Sequence, residues 1–248
     1  DVQAKKAWFF FDDEVVCLGT GINSNSAENI TTTLNQSWLM SGARISLNGK
    51  IENVGKEQNV DNPDWVWQEN TGYFFLQPSN VNVSAGTQSG NWALINASRS
   101  KQQTTSYVFK LWVNHGVKPT DGSYAYMVVP GINEEGMNLY NKQNIKVLEN
   151  SNSIQAVKNE KLQMMQIVFH KAGTISDNGV SISAEKPCVL LLKNIDSKNV
   201  SMYVADPSQI LKEVTITVKT KLMNGEKKVN CNLPTGNFAG SSATFPLN

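Results

Sequence analysis

The 248 residues carry 22 Lys and Arg against 21 Asp and Glu, a formal charge of +1. That balance supplies no long-range field to steer nucleic acid or an anionic membrane, so neither is expected as a partner. An apolar content of 40%, with Trp 6, Tyr 6 and Phe 9, excludes disorder, and the length suits one large all-β domain or two smaller ones.

The chain opens on Asp1-Val2-Gln3-Ala4-Lys5-Lys6-Ala7-Trp8, with no initiating Met and no apolar signal core, and a processed product or excised fragment is the expectation. Strands are predicted at 7–11 and 15–18. The three carboxylates between them, Asp12-Asp13-Glu14, read as a solvated hairpin tip rather than a calcium or catalytic site. Gly19-Thr20-Gly21 reads as a turn, because no helix follows to polarise a phosphate site. Further strands are predicted at 30–35, 44–47, 73–76, 81–84, 93–95 and 124–129. Asn48-Gly49 supplies the positive backbone dihedrals of a tight reversal. Trp65-Val66-Trp67, after Asp61-Asn62-Pro63-Asp64, sets two indoles on one face of a strand, where they stack on sugar rings or pack in a core. The clearest strand is Ser106–Val113, whose Tyr107, Phe109, Leu111 and Val113 share one face. His115 follows it, before Pro119, at a strand end where it projects into a cleft or serves structure.

Helix signals are thin: only 133–144, with Glu134, Glu135, Met137, Leu139 and Tyr140, has the composition for a turn or two, and Gly136 weakens it. The same stretch is the best boundary, dividing 1–145 from 146–248. Beyond it strands are predicted at 154–157, 162–169, 180–182, 188–195, 200–204 and 214–218, with reversals at Asn178-Gly179 and Asn224-Gly225. Many short strands with regular turns and no βαβ alternation indicate an all-β sandwich.

Cys17, Cys188 and Cys231 are too few and too far apart for a zinc knuckle or a disulfide framework, and are expected as buried thiols. His115 and His170, the two histidines, make a histidine metal site or a conventional triad hard to assemble, so no metal or cofactor is expected. Sequons at Asn29, Asn35, Asn82, Asn96 and Asn199 arise readily in a chain this rich in Asn, Ser and Thr. No apolar run approaches the about 20 residues of a spanning helix; the longest blocks, 8–11 and 189–192, have strand length.

Ala4-Lys5-Lys6-Ala7-Trp8-Phe9-Phe10-Phe11-Asp12, Val16-Cys17-Leu18-Gly19-Thr20-Gly21-Ile22 and Glu28-Asn29-Ile30-Thr31-Thr32-Thr33-Leu34-Asn35-Gln36-Ser37-Trp38 together closely resemble polysaccharide lyase family eight, the chondroitin and hyaluronate lyases. Later segments agree in order: Phe109–Gly116, Tyr124-Ala125-Tyr126 through Pro130-Gly131-Ile132-Asn133, Lys186-Pro187-Cys188, Ala205-Asp206-Pro207 and Phe238-Ala239-Gly240. Residues 50–64 and 223–229 fit less well. The resemblance implies a large antiparallel β-sandwich, the galactose-mutarotase-like supersandwich, followed by a small C-terminal β-sandwich domain. It also implies a bacterial exported enzyme, periplasmic or extracellular, that cleaves chondroitin or hyaluronan by β-elimination.

In that family the carboxylate-neutralising Asn, the proton-transferring His and Tyr and the assisting Arg lie on a helical domain upstream, so none is carried over to these positions. The residues agree with that absence. Uronate elimination needs a clamp on the carboxylate, a base at the α-carbon and an acid at the glycosidic oxygen, and no cluster here supplies all three. Arg44 and Arg99 are the only arginines, where a polyanion cleft would display several guanidinium forks. The expectation is a non-catalytic β-region of a glycosaminoglycan lyase, partnered by the missing helical domain and inactive by itself. An uncovered apolar patch is expected where that domain packed. The alternative is an independent carbohydrate-binding β-sandwich using Trp65, Trp67 and His115.

Overall fold

Asn- and Gly-rich reversals between alternating apolar strands account for most of the architecture in the computed structural model, which describes residues 1–247. β1 (Val2–Phe10) passes through Asp12-Asp13 into β2 (Val15–Ser24), followed by β3 (Asn29–Trp38) and β4 (Ala43–Leu47). Asn48 and Gly49, at φ 52° and 76°, then reverse the chain in two residues into β5 (Lys50–Asn53), a turn geometry that Asn and Gly adopt at low cost. β6 (Gln58–Asp61) and β7 (Trp65–Gln68) come next. A second two-residue reversal at Glu69-Asn70, φ 45° and 60°, leads into β8 (Thr71–Phe75). β9 (Asn80–Gly90) and β10 (Thr104–Val117) flank a long connection with a 3-10 turn at Trp92–Leu94, and β11 (Gly122–Pro130) follows.

A single helical turn, α1 (Glu134–Met137), is capped by Asn133, whose Oδ1 accepts from the Gly136 amide at 2.9 Å. After it come β12 (Ile145–Asn150), β13 (Ile154–Asn159), β14 (Met164–Phe169), β15 (Gly173–Asp177) and β16 (Val180–Ala184), the last two joined by Asn178-Gly179. β17 (Cys188–Lys193), β18 (Ser201–Ala205), β19 (Glu213–Lys219), β20 (Lys227–Asn232) and β21 (Ala243–Pro246) complete the described chain. Four sheets result, ordered β1-β2-β11-β8-β7-β4-β5, β3-β10-β9-β6, β12-β13-β14-β17-β18-β21 and β15-β16-β19-β20.

Chain packing divides these elements into two units: Asp1–Ala4, Asp12–Cys17 and Ile22–Tyr140 in one, Lys5–Phe11, Leu18–Gly21 and the chain from Asn141 onward in the other. In the first, the inward residues of both sheets meet around Val66, Val81, Val83, Phe109 and Leu111, none of which exposes any surface. Burying each of the larger ones stabilises the fold by roughly 2–3 kcal/mol. β10 is central to its sheet, pairing β3 on one side and β9 on the other; the β9 ladder runs without interruption from Thr104 opposite Gly90 to Val113 opposite Val81. The second unit has its own core, with Ala156, Ile182, Leu192, Val204, Ile216 and Cys231 fully enclosed.

Two polar devices complete the second unit. Lys158, 1% exposed on β13, reaches Asp177 Oδ2 at 2.9 Å and Glu160 Oε1 at 3.1 Å, and Glu160 also meets Lys146 at 2.8 Å. After β18, Asp206 folds the following loop around itself: Oδ1 accepts from the Ser208 amide (2.8 Å) and hydroxyl (2.5 Å), and Oδ2 from the Ile210 (2.9 Å) and Leu211 (2.7 Å) amides. Burial opposes the Asp206 charge, but these donors outweigh it and hold the carboxyl below its ordinary range.

Besides edge and short strands that the apolar pattern does not announce, the structure corrects the sequence reading at 93–95, at 19–21 and at Glu14. Residues 93–95 form the 3-10 turn and its exit rather than a strand, since Leu94 and Ile95 are 78% and 80% exposed and have no sheet to join. Gly19-Thr20-Gly21 lies inside β2 rather than in a turn. Gly21 holds φ +59° there, and a Cβ would sit 2.0 Å from Asn152 Oδ1, so the glycine serves a close approach within a strand. Glu14, read as part of a solvated tip, is 6% exposed and accepts from the Tyr140 hydroxyl at 2.6 Å.

Candidate functional site

Trp65 and Trp67 stand on β7 between β4 and β8, with Trp65 opposite Ser46 and Trp67 opposite Arg44. Both indole N–H groups point into the segment after β11. Trp65 Nε1 donates to Asn138 Oδ1 at 3.0 Å and Trp67 Nε1 to the Ile132 carbonyl at 2.9 Å. The sulfur of Met137 from the same segment lies against Gly72, where a Cβ would leave only 2.5 Å, and Glu134 accepts from Arg44 Nε at 3.3 Å. The paired indoles thus hold the α1 segment on the sheet. Trp65 is 3% exposed and offers no open ring face, while Trp67 is half-buried.

His115 belongs to β10, in the other sheet of this unit. Its Nε2 and the Thr32 hydroxyl are hydrogen-bonded at 2.9 Å, and its ring tilts against Tyr124 with centroids 6.3 Å apart. Its partners lie on β3 and β11, those of the tryptophans on the α1 segment. His170 is satisfied by Gln155, with Nε2 donating to Oε1 at 3.0 Å. Burial, and secondarily the charge of Lys5, hold its imidazole below the ordinary histidine value.

The interior phenols and thiols are held protonated at neutral pH. Burial, with a minor contribution from Cys17, pushes the Tyr124 phenol up to about 12. Tyr73 also rises to about 12 by burial despite a hydrogen bond from Asn35. Tyr140 is raised by burial and by its bond to Glu14. The thiols are buried and unpaired by disulfides. Burial raises Cys188 to about 12 and Cys231 to about 11, and raises Cys17 against a bond with Tyr126. A thiol or phenol so placed stays protonated and cannot serve as base or nucleophile near pH 7. Among the described residues, no three His, Cys, Asp or Glu side chains gather as metal ligands would.

The overall charge balance conceals a local asymmetry. From Asn70 to Thr120 there is no Asp or Glu, yet Arg99, Lys101, Lys110 and Lys118 all fall there. The stretch is β8, β9, β10 and their connections, so local positive charge concentrates on one hairpin. Lys110 lies 5.6 Å from the ring centre of Trp112, and the 91–103 connection carries Arg99 beside Trp92, which is 62% exposed.

Residues 1–141 match the family model described as polysaccharide lyase family 8, super-sandwich domain, and residues 146–215 match the family's C-terminal beta-sandwich domain. The chain is 45% identical to Chondroitinase-AC of Pedobacter heparinus across 97% of its own length and 34% of that protein's. It is 28% identical to Hyaluronate lyase HylB of Enterococcus faecalis, over 88% of this chain and 22% of that one. A solved chondroitinase AC lyase superposes with a TM-score of 0.91 at 42% identity, covering 98% of this chain and 36% of that chain. The chain therefore spans about a third of the length of the chondroitinase relatives.

Proposed function

Since the chain belongs to polysaccharide lyase family 8, we propose that it is the β-rich, non-catalytic region of a bacterial, periplasmic or extracellular glycosaminoglycan lyase. The full-length form would cleave uronate-containing polysaccharide by β-elimination. In this reading residues 1–145 are part of the central sandwich and 146–248 the small C-terminal domain. The helical domain is an intramolecular partner, and the β-region buttresses it and forms one wall of the cleft. The observation that carries the reading is 45% identity across nearly the whole chain to a chondroitinase of which it spans only a third. The chemistry of the interior supports it: the buried phenols and thiols are held protonated, and Arg44 is engaged by Glu134. β-Elimination needs a base, an acid and a carboxylate clamp converging on one sugar.

Incubating the purified chain with chondroitin sulfate or hyaluronan is expected to give no rise in the ultraviolet absorbance of the unsaturated uronate product. Product formation at any rate above the substrate blank would overturn the assignment. An independent carbohydrate-binding module is the competing reading, and oligosaccharide binding abolished by Trp67→Ala would favour it.

A further inference from the structure

We propose that the 91–103 connection between β9 and β10 is a glycan-binding site for an acidic sugar flanked by a neutral one. The proposal deepens the reading above and rests on it only for the choice of glycan. Its first support is apolar exposure where a soluble loop would carry polar side chains: Trp92, Leu94 and Ile95 are 62%, 78% and 80% exposed within four residues. A single exposed apolar residue is ordinary; a cluster including a tryptophan at a loop tip marks a contact surface.

The second support is that the loop is built and held. The Asn96 amide donates to the Trp92 carbonyl at 2.9 Å, the Arg99 amide to the Asn96 carbonyl at 2.9 Å, and the Ala93 amide to the Ser100 carbonyl at 3.1 Å. Asn96 Oδ1 accepts from the Ser98 hydroxyl at 2.9 Å. At its base the Ser89 and Thr105 hydroxyls are 2.6 Å apart across the ladder. A ligand meeting these side chains has little loop entropy to remove.

The third support is shape combined with charge. Trp92 and Ile95 are shared by two adjoining hollows. One, of about 550 Å³, adds Asn96, Arg99 and Ser100. The other, of about 350 Å³, has Gln88, Ser89, Thr104 and Ser106 along its wall, with no charged side chain. Arg99 forms no ion pair among the described residues, unlike Arg44, and no acid lies between Asn70 and Thr120 to compete for it. A guanidinium fork suits a carboxylate or sulfate, an exposed indole suits the apolar face of a pyranose, and the neutral amide and hydroxyls beside it suit an uncharged sugar. Acidic beside neutral is the repeat of an alternating uronate and hexosamine chain.

The test is calorimetric titration of the 248-residue chain with a chondroitin tetrasaccharide and with its carboxyl-reduced counterpart. Saturable binding is expected for the acidic form. Arg99→Ala should weaken it about tenfold or more, Arg99→Lys by less because charge remains without the fork, and Trp92→Ala about tenfold. These side chains are exposed, and unchanged circular dichroism should accompany the loss. No saturable binding by the unaltered chain, equal affinity for the carboxyl-reduced sugar, or an affinity indifferent to Arg99→Ala would each overturn the proposal. Product absorbance reads the catalytic assignment separately, so an active chain and a non-binding chain are different failures.

Discussion

Asp206→Ala is expected to destabilise the C-terminal unit by about 2–3 kcal/mol, read as a lower urea midpoint. The carboxylate is 4% exposed and receives three backbone amides and one hydroxyl. Alanine leaves those amides without their acceptor in a loop whose shape they define; Ser208 and Ile210 are exposed, so water replaces part of what the carboxylate supplied. Asp206→Asn should cost less, because one amide oxygen still accepts. The sign of the pH dependence follows from the carboxyl's depressed value. The stabilisation is fully present above the ordinary carboxylate range, at about pH 4, and is lost as pH falls through the lower folded value. Urea midpoints compared at neutral and acid pH should therefore show Asp206→Asn closing on the unaltered chain as the pH drops. A constant gap would show that the carboxylate's charge is not what the loop uses.

Lys158→Ala should be comparably damaging, about 3 kcal/mol, and Lys158→Met should recover most of it. The ammonium is almost fully enclosed and bridges Asp177 and Glu160. Burial pulls its pKa down, but the two carboxylates overcome that and leave it raised. By the same linkage its contribution is complete at neutral pH and fades only as alkaline pH passes the raised folded value. Alanine removes the bridge and leaves a void, whereas methionine refills the volume. Lys146 continues to serve Glu160, whose carboxyl is held low first by that bond. Equal thermal melting shifts for the two variants would mean that the ion pairs, rather than the filled volume, carry the stability.

Where one face of a strand is buried, the sequence spells it out. Ser106–Val113 alternates because Phe109 and Leu111 enter the core while Lys110 and Trp112 remain partly exposed, and Cys188–Lys193 shows the same alternation in the second unit. Strands that bury little are silent. Lys50–Asn53 is exposed at every position, and Gln58–Asp61 and Ala243–Pro246 hide no complete face. All three are edge strands, placed by their partners' hydrogen bonds and not by an apolar period. At 93–95 the opposite holds: Leu94 and Ile95 belong to an apolar run but are exposed.

The candidate residues divide along the same line. That Trp65 and Trp67 act together was legible from their spacing, but the acceptors of their N–H groups, Asn138 and Ile132, lie far along the chain and follow from topology alone. In the whole chain Arg99 is one of only two arginines, and that total signals scarcity. Its significance emerges only when charge is tallied by segment, because acids elsewhere cancel the cations of 70–120 in the sum.

The uninterrupted ladder between β9 and β10 has a kinetic consequence. Its inner half, around Phe109 and Leu111, sits in the core with no exposed surface, while its outer end, at Thr104 and Thr105, is exposed. Amide protons near Leu111 should exchange with deuterated solvent only when the whole unit opens, and exchange should quicken step by step toward Thr104. The 91–103 loop is thereby carried on a hairpin whose inner half is locked in the core, so the loop's own hydrogen bonds hold its tip on a base that opens only with the unit.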